Sequence, residues 1–391
     1  MASSDTSQMT AADQTATRAA DIEARWAQPV AGVHIGALDG IRGLAIILVL
    51  LFHYGRSARD FGFENPILSF SEFGWIGVDM FFVLSGFLIT GILYDSRSSE
   101  GYFRNFYARR SLRIFPLYYL ALLVVLILAA LWPNAGVWPE FSFWWFVFYL
   151  SNVAMITEAP QGAGILAHFW SLAIEEHFYL VWPAIVLMTT RRQLIMVALG
   201  LVVFSLSARL MLRLTGTASG DALYFLTPLR FDALAIGALC SLAIRGPGGI
   251  SAVIRPAWIA MIAGGIAVIA ILLVTRSLSY QNGLIQTFGF TFLAITFGGL
   301  LLVTIGFRPA NMMFCNPTLR WFGRYSYGLY VWHPIINVIL FYSPLKTYFG
   351  IEGTTESILY ISSAFVMTLV VALASYNYWE KTFLSYKKNF H

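Results

Sequence analysis

Three ionisable residues, Asp39, Arg42 and His53, stand inside the apolar run LDGIRGLAIILVLLFHYG. Such a side chain at bilayer depth costs roughly 2.5 to 3.5 kcal/mol on insertion scales, so it pairs, faces protein or water, and marks a functional site. The eleven residues from Arg42 to His53 rise about 16 Å as helix in close to three whole turns, so both lie on one face. One extended ligand could touch both. Further cations stand in RRSLRIFP, where Arg110 and Arg113 are one turn apart after Arg109, and in the apolar stretch around Arg324. Forked guanidinium donors in a cluster suit phosphates. The plainer reading is that Arg109, Arg110 and Arg113 are topology signals, and that Asp39 and Arg42, at i,i+3, satisfy each other.

A second layer collects His53, Asp79, Glu175, Glu176, Arg230, Asp232 and His333. In HFWSLAIEEHFYLVWP, His168, Ser171, Glu175 and Tyr179 recur at helical spacing, and in YSYGLYVWHP Pro334 follows His333 and can kink its helix. A lone His or Glu in such a place is often a satisfied structural contact. Here several converge at one expected depth, which favours a site. A histidine beside a carboxylate takes a proton from a hydroxyl, and Glu175 is the expected partner of His53. With a cationic pocket three turns below, the pattern points to group transfer: coenzyme A phosphates held by Arg42, Arg110, Arg113 and Arg324, Asp39 positioning Arg42, and the acyl carbon presented to His53. Asp79, Glu176, Arg230, Asp232 and His333 are the expected acceptor contacts. No two His or Cys residues stand at ligand spacing on one well-placed site, so no metal is expected.

These residues need elements to carry them. The chain has 391 residues, 58% hydrophobic and 12% charged, with mean hydropathy +0.69, and reads as an all-α polytopic membrane bundle. Spans of about 20 residues are expected near 37–55, 75–94, 114–132, 168–189, 194–213, 226–244, 256–274, 285–306, 320–342 and 358–379. The aromatic stretch at 141–156 is read as re-entrant or interfacial, because counting it as a span would put Arg191 and Arg192 outside. With ten spans the basic loops fall on one side, both termini are cytoplasmic, and Arg56, Arg59 and Arg276 are the exceptions. Residues 1–34 read as a disordered cytoplasmic tail, 35–381 as the transmembrane domain and 382–391 as a short cytoplasmic tail. The net charge of +5 is spread over short loops, which speaks against nucleic acid. Cys240 and Cys315 offer no disulfide or CxxC framework.

The sequence resembles acyltransferase family 3, integral-membrane enzymes that move acetyl or other short acyl groups from acyl-CoA to sugar hydroxyls. The resemblance covers nearly all of 37–380. It rests on Arg42 and His53 in LDGIRGLAIILVLLFH, then FFVLSGFLIT, RRSLRIFP, WSLAIEEHFYLVWP, RFDALAIGALC and YSYGLYVWHP, in that order. It implies that His53 is the essential base or acyl-accepting residue, that Arg42 and the RxxR pair serve the donor, and that Glu175 is the glutamate of the WSL segment. His177 departs from the Gln common there. The expected reaction is O-acetylation of a saccharide or glycolipid of a bacterial cell envelope, from acetyl-CoA, in the cytoplasmic membrane. The chain is read as lacking the C-terminal esterase-like domain of some members, so a separate periplasmic acyl-handling partner is conceivable. Acylation of a macrolide or other small molecule, or proton-coupled secondary transport, are the alternatives. Coenzyme A binding separates the last of these from the rest.

Overall fold

The computed structural model describes residues 35–60, 70–132, 142–158, 161–342 and 354–390, except the side chains of 60, 161–163, 341–342 and 354–357. The expected tail at 1–34 lies outside the described residues. Each of the ten expected segments forms a helix: α1 Gly36–Asp60, α2 Ile76–Asp95, α3 Tyr102–Leu131, α4 Trp170–Met188, α5 Arg191–Thr215, α6 Phe231–Ile244, α7 Gly249–Thr275, α8 Phe290–Gly306, α9 Pro317–Tyr342 and α10 Thr354–Ser375. In lipid a helix satisfies every backbone polar group within itself, which is why apolar runs of this length take this form.

Eight of the ten, counted with adjoining 3-10 or π turns and among the described residues, are long and apolar enough to cross a membrane. The two others differ for separate reasons. With 14 residues, α6 rises only about 21 Å against a hydrocarbon core of about 30 Å. The 26-residue α9 is long enough but is diluted by Arg320, Arg324, His333 and Asn337. The aromatic stretch at 141–156, described from 142, forms two short helices, Trp144–Val147 and Ser151–Thr157. Neither is long enough to span, and the segment is tied to α3 by Tyr118 Oη donating to Phe146 O at 2.7 Å.

Two helix crossings set the frame. Where α1 meets α9, a Cβ placed on Gly43 would lie 1.9 Å from Leu319 O, and one on Gly323 would lie 1.8 Å from Asp39 O. Where α2 meets α6, Gly86 and Gly237 stand in the same relation to Leu234 O and Val83 O, at 1.9 and 2.0 Å. Only glycine permits such backbone approach, the usual basis of close helix packing in membranes. The α1–α9 crossing brings His53 beside His333, and the α2–α6 crossing brings Asp79 beside Arg230.

Candidate active site

Two cavities open at opposite ends of the bundle. The first, about 740 Å³, lies between the N-terminal part of α1, the C-terminal part of α2 and the N-terminal part of α3. Arg42, Arg109, Arg110 and Arg113 line it, together with Asp39, Ser85, Glu175 and Lys387. Arg42 Nη1 lies 3.4 Å from Asp39 Oδ1, the pairing that i,i+3 spacing allows. Arg110 lies 3.7 Å from Glu175 Oε2, stacks over the Tyr179 ring with 3.9 Å between Cζ and the centroid, and donates to the Tyr179 hydroxyl. That hydroxyl also hydrogen-bonds Ser85 Oγ. The result is a planar cation fixed by a ring and a carboxylate, held at the wall of a cavity.

The second cavity, about 670 Å³, is lined by His53, Phe52, Arg56, Arg59, Glu72, Trp75, His168, Trp170, Asp221, Tyr224 and Tyr280, among others. Tyr224 and Tyr280 stack with centroids 4.3 Å apart. Trp75 Nε1 donates to Leu278 O at 2.9 Å, which ties the loop after α7, whose Ser279, Tyr280 and Gln281 line the cavity, to its wall. Glu72 is committed to Arg59, 3.5 Å away.

At the wall of this cavity His53 and His168 meet the ring of His333 behind them. The ring of His53 stands 4.8 Å from that of His333, and His168 stands 5.5 Å from His333, each centroid to centroid and edge-on. His333 is buried, and its Nδ1 donates to Leu329 O at 3.1 Å. Because a carbonyl only accepts, this contact assigns the Nδ1–H tautomer and leaves Nε2 as an acceptor. Pro334 follows directly in the helix, so the carbonyl one turn before it, on Tyr330, lacks its helical donor.

The two cavities share two wall residues, Val78 and Tyr330. The Tyr330 hydroxyl donates to His168 O and accepts from Ser171 Oγ, each at 2.6 Å. These bonds hold the phenol in the partition. The two cavities therefore adjoin at the Tyr330 ring and the Val78 side chain.

Several expected site residues fall elsewhere. Glu175 does not meet His53; it belongs to the arginine cavity, on Arg110. Arg324 is exposed and stacks on Tyr376, at 5.7 Å, outside that cavity. Asp79, Arg230 and Asp232, expected to touch the acceptor, are fully buried and line neither cavity. Arg230 Nη2 donates to Asp79 Oδ1 at 2.5 Å and lies over the Phe290 ring. Asp232 pairs with Arg209 at 2.7 Å and accepts from Thr291 Oγ1 at 2.6 Å. These groups clamp α2, α5, α6 and α8 together. Glu176 also lines neither cavity, and His333 backs His53 from outside the cavity wall.

Sequence reading did not assign Arg209, Tyr330 or Lys387. Arg209 was legible as a lone cation in an apolar run, by the same rule that singled out Arg42. Tyr330 and Lys387 carried no such signal. Among the described residues no cluster of His, Cys, Asp and Glu has the form of a metal site.

This all-α bundle of membrane-length helices places a cationic cavity and a histidine cavity at opposite ends. A profile of the family described as "Acyltransferase domain" matches residues 35–377. The chain belongs to that family, acyltransferase family 3. It is similar to the peptidoglycan O-acetyltransferase OatA of Listeria monocytogenes, with 31% identity over 78% of this chain and 50% of that protein. The putative peptidoglycan O-acetyltransferase YrhL of Bacillus subtilis is 29% identical over 89% of this chain and 54% of its own length. A putative O-acetyltransferase of Staphylococcus aureus is 26% identical over 90% and 57%. The chain thus spans about half the length of the curated relatives it matches. No solved structure matches it.

Proposed function

We propose that the chain is an O-acetyltransferase that takes an acetyl group from acetyl-CoA in the arginine cavity and delivers it to a saccharide hydroxyl in the His53 cavity. The observation that carries this reading is the pair of cavities meeting at Val78 and Tyr330. Arg42, Arg110 and Arg113 would hold the donor's phosphates, and the pantetheine arm would run along α1 toward the partition. About 16 Å of helix separates Arg42 from His53, a distance that suits a long, terminally reactive donor. The names of the relatives support acetyl as the group and a cell-envelope saccharide of the peptidoglycan kind as the acceptor.

The arginine end is assigned to the cytoplasm. The loops after α2, α4, α6 and α8 and the segment after α10 all emerge there, and they carry Arg97, Arg191, Arg192, Arg245, Arg308 and Lys381. Among the described residues the opposite end has Arg56, Arg59, Arg213 and Arg276. Acetyl-CoA would enter from the cytoplasm and the acceptor from outside.

In the transfer, the acceptor oxygen forms a bond to the thioester carbonyl carbon and the C–S bond breaks. His53 takes the hydroxyl proton and returns it to the departing thiolate. In a variant of the same chemistry, a ring nitrogen of His53 is acylated first and the acceptor then attacks the acyl-imidazole. In both, His333 replaces the expected Glu175 as the group that packs against His53.

The test is thioester loss from acetyl-CoA by detergent-purified protein with a mixed saccharide pool. His53→Ala is expected to remove acceptor-dependent loss by about 10²- to 10⁴-fold, while Arg42→Ala raises KM for acetyl-CoA. Undiminished transfer by His53→Ala would overturn the assignment of the base.

A further inference from the structure

The arginine cavity is completed by a residue outside the family match. Helix α10 ends at Ser375, and Tyr376–Glu380 forms a π turn, an insertion that re-aims the chain and is frequent at functional sites. The turn buries Glu380, onto which Ser375 Oγ donates at 3.4 Å. The following Lys381–Ser385 helix and Tyr386–Asn389 turn are laid along the first half of α3. Trp379 Nε1 donates to Pro116 O at 2.9 Å, and Arg109 Nη1 to Phe390 O at 3.5 Å. This docking sets Lys387 in the cavity wall with Arg42, Arg109, Arg110 and Arg113, ten residues beyond the matched stretch, which ends at 377.

Charge makes the placement informative. Six cations line the cavity, the five arginines Arg42, Arg109, Arg110, Arg113 and Arg245 and Lys387, against three carboxylates, Asp39, Asp95 and Glu175. Each carboxylate is already committed, to Arg42, Arg245 and Arg110 in turn. The buried Glu380 does not line the cavity. Lys387 thus stands among like charges, an arrangement that costs free energy until an anion neutralises it.

We infer that Lys387 binds a phosphate of the acyl-CoA donor, so that the C-terminal turn closes the donor cavity over its ligand. This rests on the donor assignment above. The experiment measures coenzyme A and pantetheine binding, and KM and kcat for acetyl-CoA, on the full chain in detergent, for wild type, Lys387→Gln, Lys387→Arg and Arg42→Ala. Thermal unfolding confirms that each variant is folded. Lys387→Gln is expected to weaken coenzyme A binding about tenfold or more, to raise KM with kcat at saturation unchanged, and to leave binding of phosphate-free pantetheine unaltered. Lys387→Arg restores the affinity. Wild-type affinity in Lys387→Gln, with binding lost in Arg42→Ala, overturns the role of Lys387 and keeps the donor assignment. Absence of coenzyme A binding by wild type overturns the donor assignment and this inference with it.

Discussion

At the scale of residues, the structure separates the arginine cavity from the His53 cavity more sharply than sequence order suggests. Glu175 and His168 sit on one stripe of α4 and its lead-in turn, yet they are seven residues apart, about 10 Å along the axis. The stripe crosses from one cavity to the other. Glu175→Gln is therefore expected to act on the donor side: KM for acetyl-CoA rises, while the pH dependence of turnover at saturating donor, set at His53, keeps its shape. A profile displaced in that variant would put Glu175 back beside the base. Tyr330 gives a second expectation. Tyr330→Phe keeps a ring in the partition and loses only the bonds to Ser171 and His168, whereas Tyr330→Ala opens it. Thioester hydrolysis without acceptor is expected to increase in Tyr330→Ala and to stay near wild type in Tyr330→Phe, as followed by thiol release. Arg42 and His53 were legible because an ion in an apolar run is expensive and three whole turns fix their common face. Tyr330 was illegible, because an aromatic residue in a membrane helix is ordinary and only its position between two cavities distinguishes it.

The elements were the most legible layer, since apolar runs marked all ten helices and the distribution of charge set 141–156 apart from them. What hydropathy does not encode is how closely they approach. Glycines 43, 323, 86 and 237 look alike in sequence to Gly200, whose added Cβ would meet nothing within 4 Å. At the crossings the same methyl would strike a backbone carbonyl that cannot turn aside. Gly43→Val and Gly237→Val are expected to destabilise the protein by at least about 1 to 3 kcal/mol, the usual cost of overpacking, and Gly200→Ala to be neutral or mildly stabilising. Thermal unfolding in detergent reads all three. Equal loss in Gly200→Ala would mean that general helix effects, not the crossings, are responsible. The assignment of Glu175 to the wrong cavity has the same root. Depth along a helix is readable from residue number, but tilt and lateral packing are not.

At the scale of the whole molecule, four buried charges join helices far apart in sequence. Asp79 with Arg230 and Arg209 with Asp232 have side chains at most 1% exposed, and Thr291 closes the set from α8. Removing one member leaves its partner charged and dry, which costs about 3 to 5 kcal/mol. Asp79→Ala is expected to lower the unfolding midpoint sharply, with KM for acceptor unchanged in whatever fraction stays folded. The paired change Asp79→Leu with Arg230→Met recovers part of the loss. A raised acceptor KM at full stability would return these residues to the binding site. Sequence reading placed three of the four at a functional depth because it could not see that their partners were one another. The two cavities also have an electrical consequence. Water-filled recesses that enter a bilayer from both faces carry each bulk potential inward, so the voltage falls mainly over the thin layer left between them. Under the proposed orientation that layer would include Tyr330 and Val78, which both cavities touch. An elementary charge crossing the full drop exchanges about 2.3 kcal/mol per 100 mV, so a proton moving past this layer would feel most of the membrane voltage. A neutral acetyl group passing the same point would feel none, so under the proposed function the transfer would leave the membrane voltage undischarged.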